Sequence, residues 1–102
     1  MLSFLKKLFS GKEVDYQELQ NRGAIIIDVR TPAEFKTGHI RGAINIPVDQ
    51  IKLKTAELKK KNMPVITCCR SGARSGMAIS VSSAAAIEVY NGGAWFMLEK
   101  KL

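Results

Sequence analysis

The sequence predicts an α/β domain with a mostly parallel central sheet and helices on both faces. Three observations lead there. The apolar run Ala24–Val29, broken only by Asp28, has the pattern of a strand buried on both faces, and Pro64–Cys68 and Ile87–Tyr90 read as further short strands. Segments with helix-start signals or helical apolar spacing alternate with them, which is the order of a parallel sheet. The chain has 102 residues, 46% of them apolar and 25% charged, which suits one globular domain with one modest core. A chain of this size buries roughly 60–65% of its unfolded surface and needs no disulfide staples.

Residues 1–12 are expected to form an N-terminal extension, with the domain proper at 13–102. Leu2, Leu5 and Phe9 recur at helical spacing around Lys6 and Lys7, so a short helix that packs on the domain or frays is expected. The two lysines interrupt what a signal peptide would need as a continuous apolar core. Asp15 followed by Glu18 predicts a helix start, and Gly23 a stop near Arg22. Ala24–Val29 is the first strand. Thr31-Pro32-Ala33-Glu34 has an N-cap threonine, proline at the first helical position and glutamate at the third, so it opens a helix that Gly38 ends. Ala43–Ile46 is a second short strand, closed by Pro47.

Asp49–Lys61 is expected to be mostly helical, with its lysines in water and Ile51, Leu53 and Leu58 available to pack. Pro64–Cys68 is the third strand. A helix is predicted from Arg74 to about Ala86, with Met77, Ala78, Val81, Ala84 and Ala85 on one stripe. Ile87–Tyr90 is the fourth strand, Asn91-Gly92-Gly93 a turn, and Ala94–Lys101 a last helix carrying Trp95, Phe96 and Leu98.

Several function classes drop out. No apolar run approaches the roughly 18–20 residues of a membrane span. Cys68 and Cys69 are adjacent, so they form no disulfide framework, and neighbours in a strand point to opposite faces. The pair suggests a reducing compartment, hence the cytoplasm, and a chemical role for at least one thiol. The net charge is +7, of which residues 1–51 hold +1 and residues 52–102 hold +6. Lys59, Lys60, Lys61, Lys100 and Lys101 read as a solvated face and a basic end. No nucleic-acid partner is expected, because the lysines are not interleaved with aromatics and no such motif is present. The charge favours small anions or an acidic partner.

Ligands of an open α/β sheet sit beyond the carboxyl ends of its strands. One such end carries Cys69-Arg70-Ser71-Gly72-Ala73-Arg74-Ser75, between a strand and a helix. A thiol near pKa 8.5 is only a few per cent ionised at neutral pH, so a nucleophilic cysteine needs its negative charge stabilised. A short loop curling into a helix start aims successive amides inward, and the helix dipole adds to that field. Arg70 and Arg74 can add charge and grip an oxyanion. Gly72 and Ala73 keep the rim low. The expected consequence is a reactive thiol with a pKa below about 7.

Three ordered segments make the chain resemble single-domain rhodaneses, the thiosulfate-type sulfurtransferases, from about Val14 to Trp95. Ile27-Asp28-Val29-Arg30-Thr31-Pro32-Ala33-Glu34-Phe35, continued by Gly38-His39-Ile40-Arg41-Gly42-Ala43-Ile44-Asn45-Ile46-Pro47, resembles the family's N-terminal signature. Cys69 to Ser75 resembles its active-site loop, and Val89-Tyr90-Asn91-Gly92-Gly93-Ala94-Trp95 its C-terminal signature.

The resemblance implies that Cys69 attacks the sulfane sulfur of a small anionic donor such as thiosulfate and becomes a persulfide. It implies a thiophilic acceptor such as cyanide, a thiol or a protein, and no metal or organic cofactor. Arg70, Ser71, Gly72, Ala73, Arg74 and Ser75 would bind the substrate. Asp28 and Arg30 would stand behind them: Asp28 bracing the neighbouring loop, Arg30 paired with Asp28 or Glu34. His39, the only histidine, would hold its loop by hydrogen bonds, and Tyr90 and Trp95 would pack.

Two features depart from the family. Cys68 stands where other residues, often aromatic, precede the nucleophile. It also creates the C-x5-R spacing of tyrosine phosphatases and arsenate reductases, so such a hydrolase acting through Cys68 is the rival enzyme. Thr67 replaces the histidine usual there, and no general acid stands out. Cys68 is expected to be either a buried bystander or a resolving thiol. A non-catalytic binding module is the third possibility. The other departure is Ser82-Ser83-Ala84-Ala85-Ala86, where the family usually has charged residues and a glycine near the helix end.

Overall fold

A computed structural model describes residues 14–102; the helix expected within residues 1–12 lies outside them. Helix α1 (Tyr16–Asn21) leads into strand β1 (Ile25–Asp28), then α2 (Pro32–Thr37), β2 (Ile44–Asn45), a 3-10 turn (Val48–Gln50) and α3 (Ile51–Lys61). Strand β3 (Val65–Cys69), α4 (Ala73–Ala84), β4 (Val89–Ala94) and α5 (Trp95–Glu99) complete the chain. The four strands form one sheet in the order β2-β1-β3-β4, and every pairing is parallel. Among the described residues, no helix is long and apolar enough to cross a membrane.

The local signals account for the helix ends. The Asp15 carboxylate accepts the Glu18 amide at the start of α1. At the start of α2, the Thr31 hydroxyl accepts the Glu34 amide while the Glu34 carboxylate accepts the Thr31 amide, with Pro32 at the first position. Helix α1 ends in a Schellman motif: Gly23, at φ +85°, donates its amide to Gln20, and Ala24 donates to Leu19. Helix α4 ends with the same two bonds, Ala86 to Ser83 and Ile87 to Ser82. Here Ala86 must take φ +61°, at the point where the family resemblance leads one to look for glycine.

Alternation along the buried strands divides the core in two. Ile27, Val29, Val65, Cys69 and Val89 face one side, where Ile51 and Leu58 of α3 and Ala78 of α4 cover them. Ile26, Ile66, Cys68 and Tyr90 face the other, under Tyr16 and Leu19 of α1 and Leu98 of α5. Helices thus lie on both faces. Adjacent residues of one strand, Cys68 and Cys69 included, serve different cores.

Three expectations change. Leu53 does not pack; it is 79% exposed, because the apolar stripe of α3 runs through Ile51 and Leu58 and leaves Leu53 on the wet side. Met77 is likewise exposed, and the covered stripe of α4 runs through Ser75, Ala78 and Ser82. Asn91-Gly92-Gly93 is not a turn after the fourth strand but part of it. β4 continues to Ala94, and a register shift between Thr67 and Cys69 lets the glycines pass beside β3. A Cβ on Gly92 would lie 2.7 Å from Leu98 Cδ2 and 2.9 Å from the Thr67 carbonyl oxygen, so only glycine fits this approach.

Candidate active site

Strand β3 ends at Cys69, and α4 begins at Ala73 after three intervening residues. Gly72 caps α4 at φ +102°, a left-handed conformation that turns the chain back over the cysteine. The Gly72 amide then donates to Cys69 Sγ at 2.8 Å, and Ser75 Oγ lies 3.5 Å from the same sulfur. Burial of Cys69 works to raise its pKa. The Ser75 hydroxyl and the amides of Ser75, Gly72 and Ser71 outweigh it, so the thiol is held below its ordinary value. Thiolate charge is thus favoured at this sulfur by hydrogen-bond donors, with no lysine or histidine in the loop.

Ser75 is fully buried, and its Oγ also approaches Gly72 O at 3.1 Å and Asn91 Oδ1 at 2.6 Å. Ser71 and Ala73 stand exposed on the rim, and Gly72 is half-buried between them. Arg70 is exposed and, among the described residues, has no ion-pair partner. Arg74 is committed elsewhere: its Nη1 and Nη2 donate to Glu34 Oε1 at 2.6 Å and Oε2 at 3.0 Å. Arg74, together with Thr31, holds the Glu34 carboxyl at about 2, well below the usual range. The loop is thereby tied to the start of α2.

The Asp28–Arg30 pair lies behind that contact. Arg30 Nε bridges both Asp28 oxygens at 2.9 and 3.0 Å, and Nη2 donates to Oδ2 at 2.7 Å. The remaining donors reach outward, Nη2 to Gly38 O at 2.7 Å and Nη1 to Glu34 O at 3.3 Å, and the guanidinium lies 4.9 Å from the Trp95 ring centroid. One buried arginine thus holds a carbonyl within α2 and the carbonyl of its C-cap. Of the two partners open to Arg30 in the sequence, Asp28 takes the charge; the Glu34 side chain belongs to Arg74. The Arg74–Glu34 contact is not legible in the sequence, where Glu34 reads as a capping residue or as a partner of Arg30.

Cys68 has no part in the loop. It is fully buried in the opposite core, and burial, reinforced by the Asp28 charge, pushes its thiol up to about 12. His39 is exposed, stacks on Phe35 at 3.7 Å and donates from Nδ1 to Phe35 O at 2.7 Å, making no bond to Cys69. Tyr90 OH donates to Glu88 Oε2 at 2.6 Å. Asn91 was the other omission: read as a turn residue, it instead lies in β4 beside Ser75. Among the described residues, no group of three His, Cys, Asp or Glu side chains converges as metal ligands would.

The sequence matches the Rhodanese-like domain family over residues 13–95. The chain belongs to that family. The rhodanese domain is 42% identical over 71 residues to the protein YqhL of Bacillus subtilis, covering 69% of this chain and 56% of that one. It is 38% identical over 71 residues to a protein named Sulfurtransferase from Allochromatium vinosum, covering 65% of each chain. The aligned region therefore spans less than two thirds of either relative. A solved rhodanese with anions from E. coli superposes with a TM-score of 0.66 at 33% identity, over 72% of this chain and 89% of that one.

Proposed function

We propose that this rhodanese domain is a sulfurtransferase whose nucleophile is Cys69. One observation carries the reading: the Cys69 sulfur alone, of the two thiols, sits under converging donors that lower its pKa. Names borne by relatives, Sulfurtransferase in Allochromatium vinosum and Thiosulfate sulfurtransferase PspE in E. coli, support the same class.

With thiosulfate as donor, the Cys69 thiolate attacks the outer sulfur. A new S–S bond forms, the S–S bond of thiosulfate breaks, and sulfite leaves with the electron pair. The persulfide's outer sulfur is then taken by an acceptor nucleophile. Cyanide gives thiocyanate, and the electron pair of the broken S–S bond returns to Cys69. Ser71, Gly72 and Ser75 supply amides to the sulfur, Ala73 leaves the rim open, and Arg70 is the guanidinium free to meet the donor's charge. Arg74 acts by holding the loop through Glu34 while adding positive potential.

The hydrolase alternative would require the Cys68 thiolate to face the loop. Cys68 lies on the other face and stays protonated. Incubation with thiosulfate should add one sulfur atom to the protein, read by mass spectrometry and removed by cyanide. Cys68→Ser should still load, and Cys69→Ser should not. Loading of Cys69→Ser would overturn the assignment.

A further inference from the structure

We propose that Asn91 is a positioning residue that controls which way the Ser75 hydroxyl points, and thereby the ionisation of Cys69. This rests on Cys69 being the reactive thiol. The protons and lone pairs around Ser75 decide its orientation. Gly93 N–H donates to Asn91 Oδ1 at 2.9 Å, which fixes the amide with its oxygen toward Gly93 and Ser75 and its nitrogen toward Gly72. Asn91 Nδ2 accordingly donates to Gly72 O at 3.3 Å, and the Gly76 amide donates to the same carbonyl at 3.0 Å. Both lone pairs of Gly72 O are then filled. Asn91 Oδ1 has one lone pair left, and Ser75 Oγ stands 2.6 Å from it.

Ser75 has a single proton to give. With the two carbonyl oxygens arranged this way, the proton goes to Asn91, and the Ser75 oxygen turns a lone pair toward Cys69 Sγ at 3.5 Å. That arrangement accepts a proton from a neutral thiol. A thiolate needs the reverse, with the Ser75 proton rotated onto the sulfur and withdrawn from Asn91. Ser75 is therefore a two-position donor. Asn91 favours the resting thiol, and negative charge on sulfur favours the swing. No covalent bond changes; one hydroxyl proton rotates and the thiol proton leaves to solvent.

The test reads the Cys69 thiol directly, from the pH dependence of its alkylation by iodoacetamide. It therefore gives an answer whether or not the protein transfers sulfur, and failure to load thiosulfate sulfur would count against the proposed function alone. Asn91→Ala should release the Ser75 proton to sulfur and lower the alkylation pKa, raising the rate at pH 6 several-fold. Asn91→Asp, a stronger acceptor carrying charge, should move it the opposite way. Ser75→Ala should raise the pKa and abolish the response to Asn91→Ala, so that Ser75→Ala and Ser75→Ala/Asn91→Ala titrate together. A merely structural Asn91 would shift the profile equally with and without Ser75. That result, an unchanged profile, or a raised pKa in Asn91→Ala would overturn the proposal. If Asn91→Ala fails to fold, Asn91→Asp is compared in the wild-type and Ser75→Ala backgrounds: a shift that shrinks without Ser75 supports the proposal, and an equal shift, plain charge repulsion, overturns it.

Discussion

Cys68 and Cys69 are neighbours in one strand, yet their sulfurs occupy opposite chemical worlds. Cys68 lies in the core beneath α1 and α5, with burial and the Asp28 carboxylate both opposing its ionisation. Cys69 is equally hidden from solvent, but its sulfur meets the amides of a loop that turns back over it. Burial is common to both and so does not make a thiol reactive. The difference is the supply of donors, which follows from strand alternation and from what lies beyond the strand's end.

The sharpest challenge to this comparison is selective labelling. In the folded protein Cys69 should take up iodoacetamide while Cys68 stays unmodified, a difference of orders of magnitude, read by peptide mapping with and without denaturant. Labelling of Cys68 at a comparable rate would break the contrast. Because the Cys68 pKa is raised from an unfolded value near 9 to about 12, its neutral form supports the fold below pH 9. That support should fall as pH rises toward 12, and Cys68→Ala should remove the part of the alkaline dependence that Tyr16 and Tyr90 do not supply.

The next effect concerns the brace beside Cys68. Asp28→Ala leaves the Arg30 guanidinium buried without its carboxylate, which should cost about 3–5 kcal/mol in chemical denaturation. A change under about 1 kcal/mol would mean that the buried pair is not what braces α2. A smaller change on the Cys69 side should stabilise. Ala86 holds φ +61° at the end of α4, where Gly23 ends α1 in the same motif without strain. Ala86→Gly should therefore gain about 1 kcal/mol, raising the denaturation midpoint.

The smallest effect sharpens the loop's anchorage. Arg74 depresses the Glu34 carboxyl, so the stability it confers is complete above the ordinary Glu value of about 4.5 and is lost as pH falls through about 2. A carboxyl titration followed by NMR should place Glu34 near 2, and Arg74→Ala should move it up toward its ordinary value.

Much of this was legible in local order. The capping box of Thr31 and Glu34, the Asp15 cap, the Gly23 stop and the unbroken strands β1 and β3 depend on residues a few positions apart, and each formed as expected. So did the opposed directions of the two cysteines. The exceptions came from choices that local order leaves open. Which side of α3 faces the sheet is one: Ile51 and Leu58 took it, and Leu53, two residues on from Ile51 and so on the opposite side, was left in water. Asn91-Gly92-Gly93 has turn chemistry, yet pairing with β3 drew it into the sheet because glycine alone fits beneath Leu98 and against the Thr67 carbonyl.

Short-range chemistry therefore determined an α/β chain, its strand and helix signals, and a cysteine placed where a strand runs into a helix. Tertiary structure decided the partners: Glu34 for Arg74 across 40 residues and Asn91 for Ser75 across 16. The reason is geometric. Caps and alternation are set by bonds within one or two turns of the chain, whereas a side chain's partner from another element depends on where the sheet carries that element.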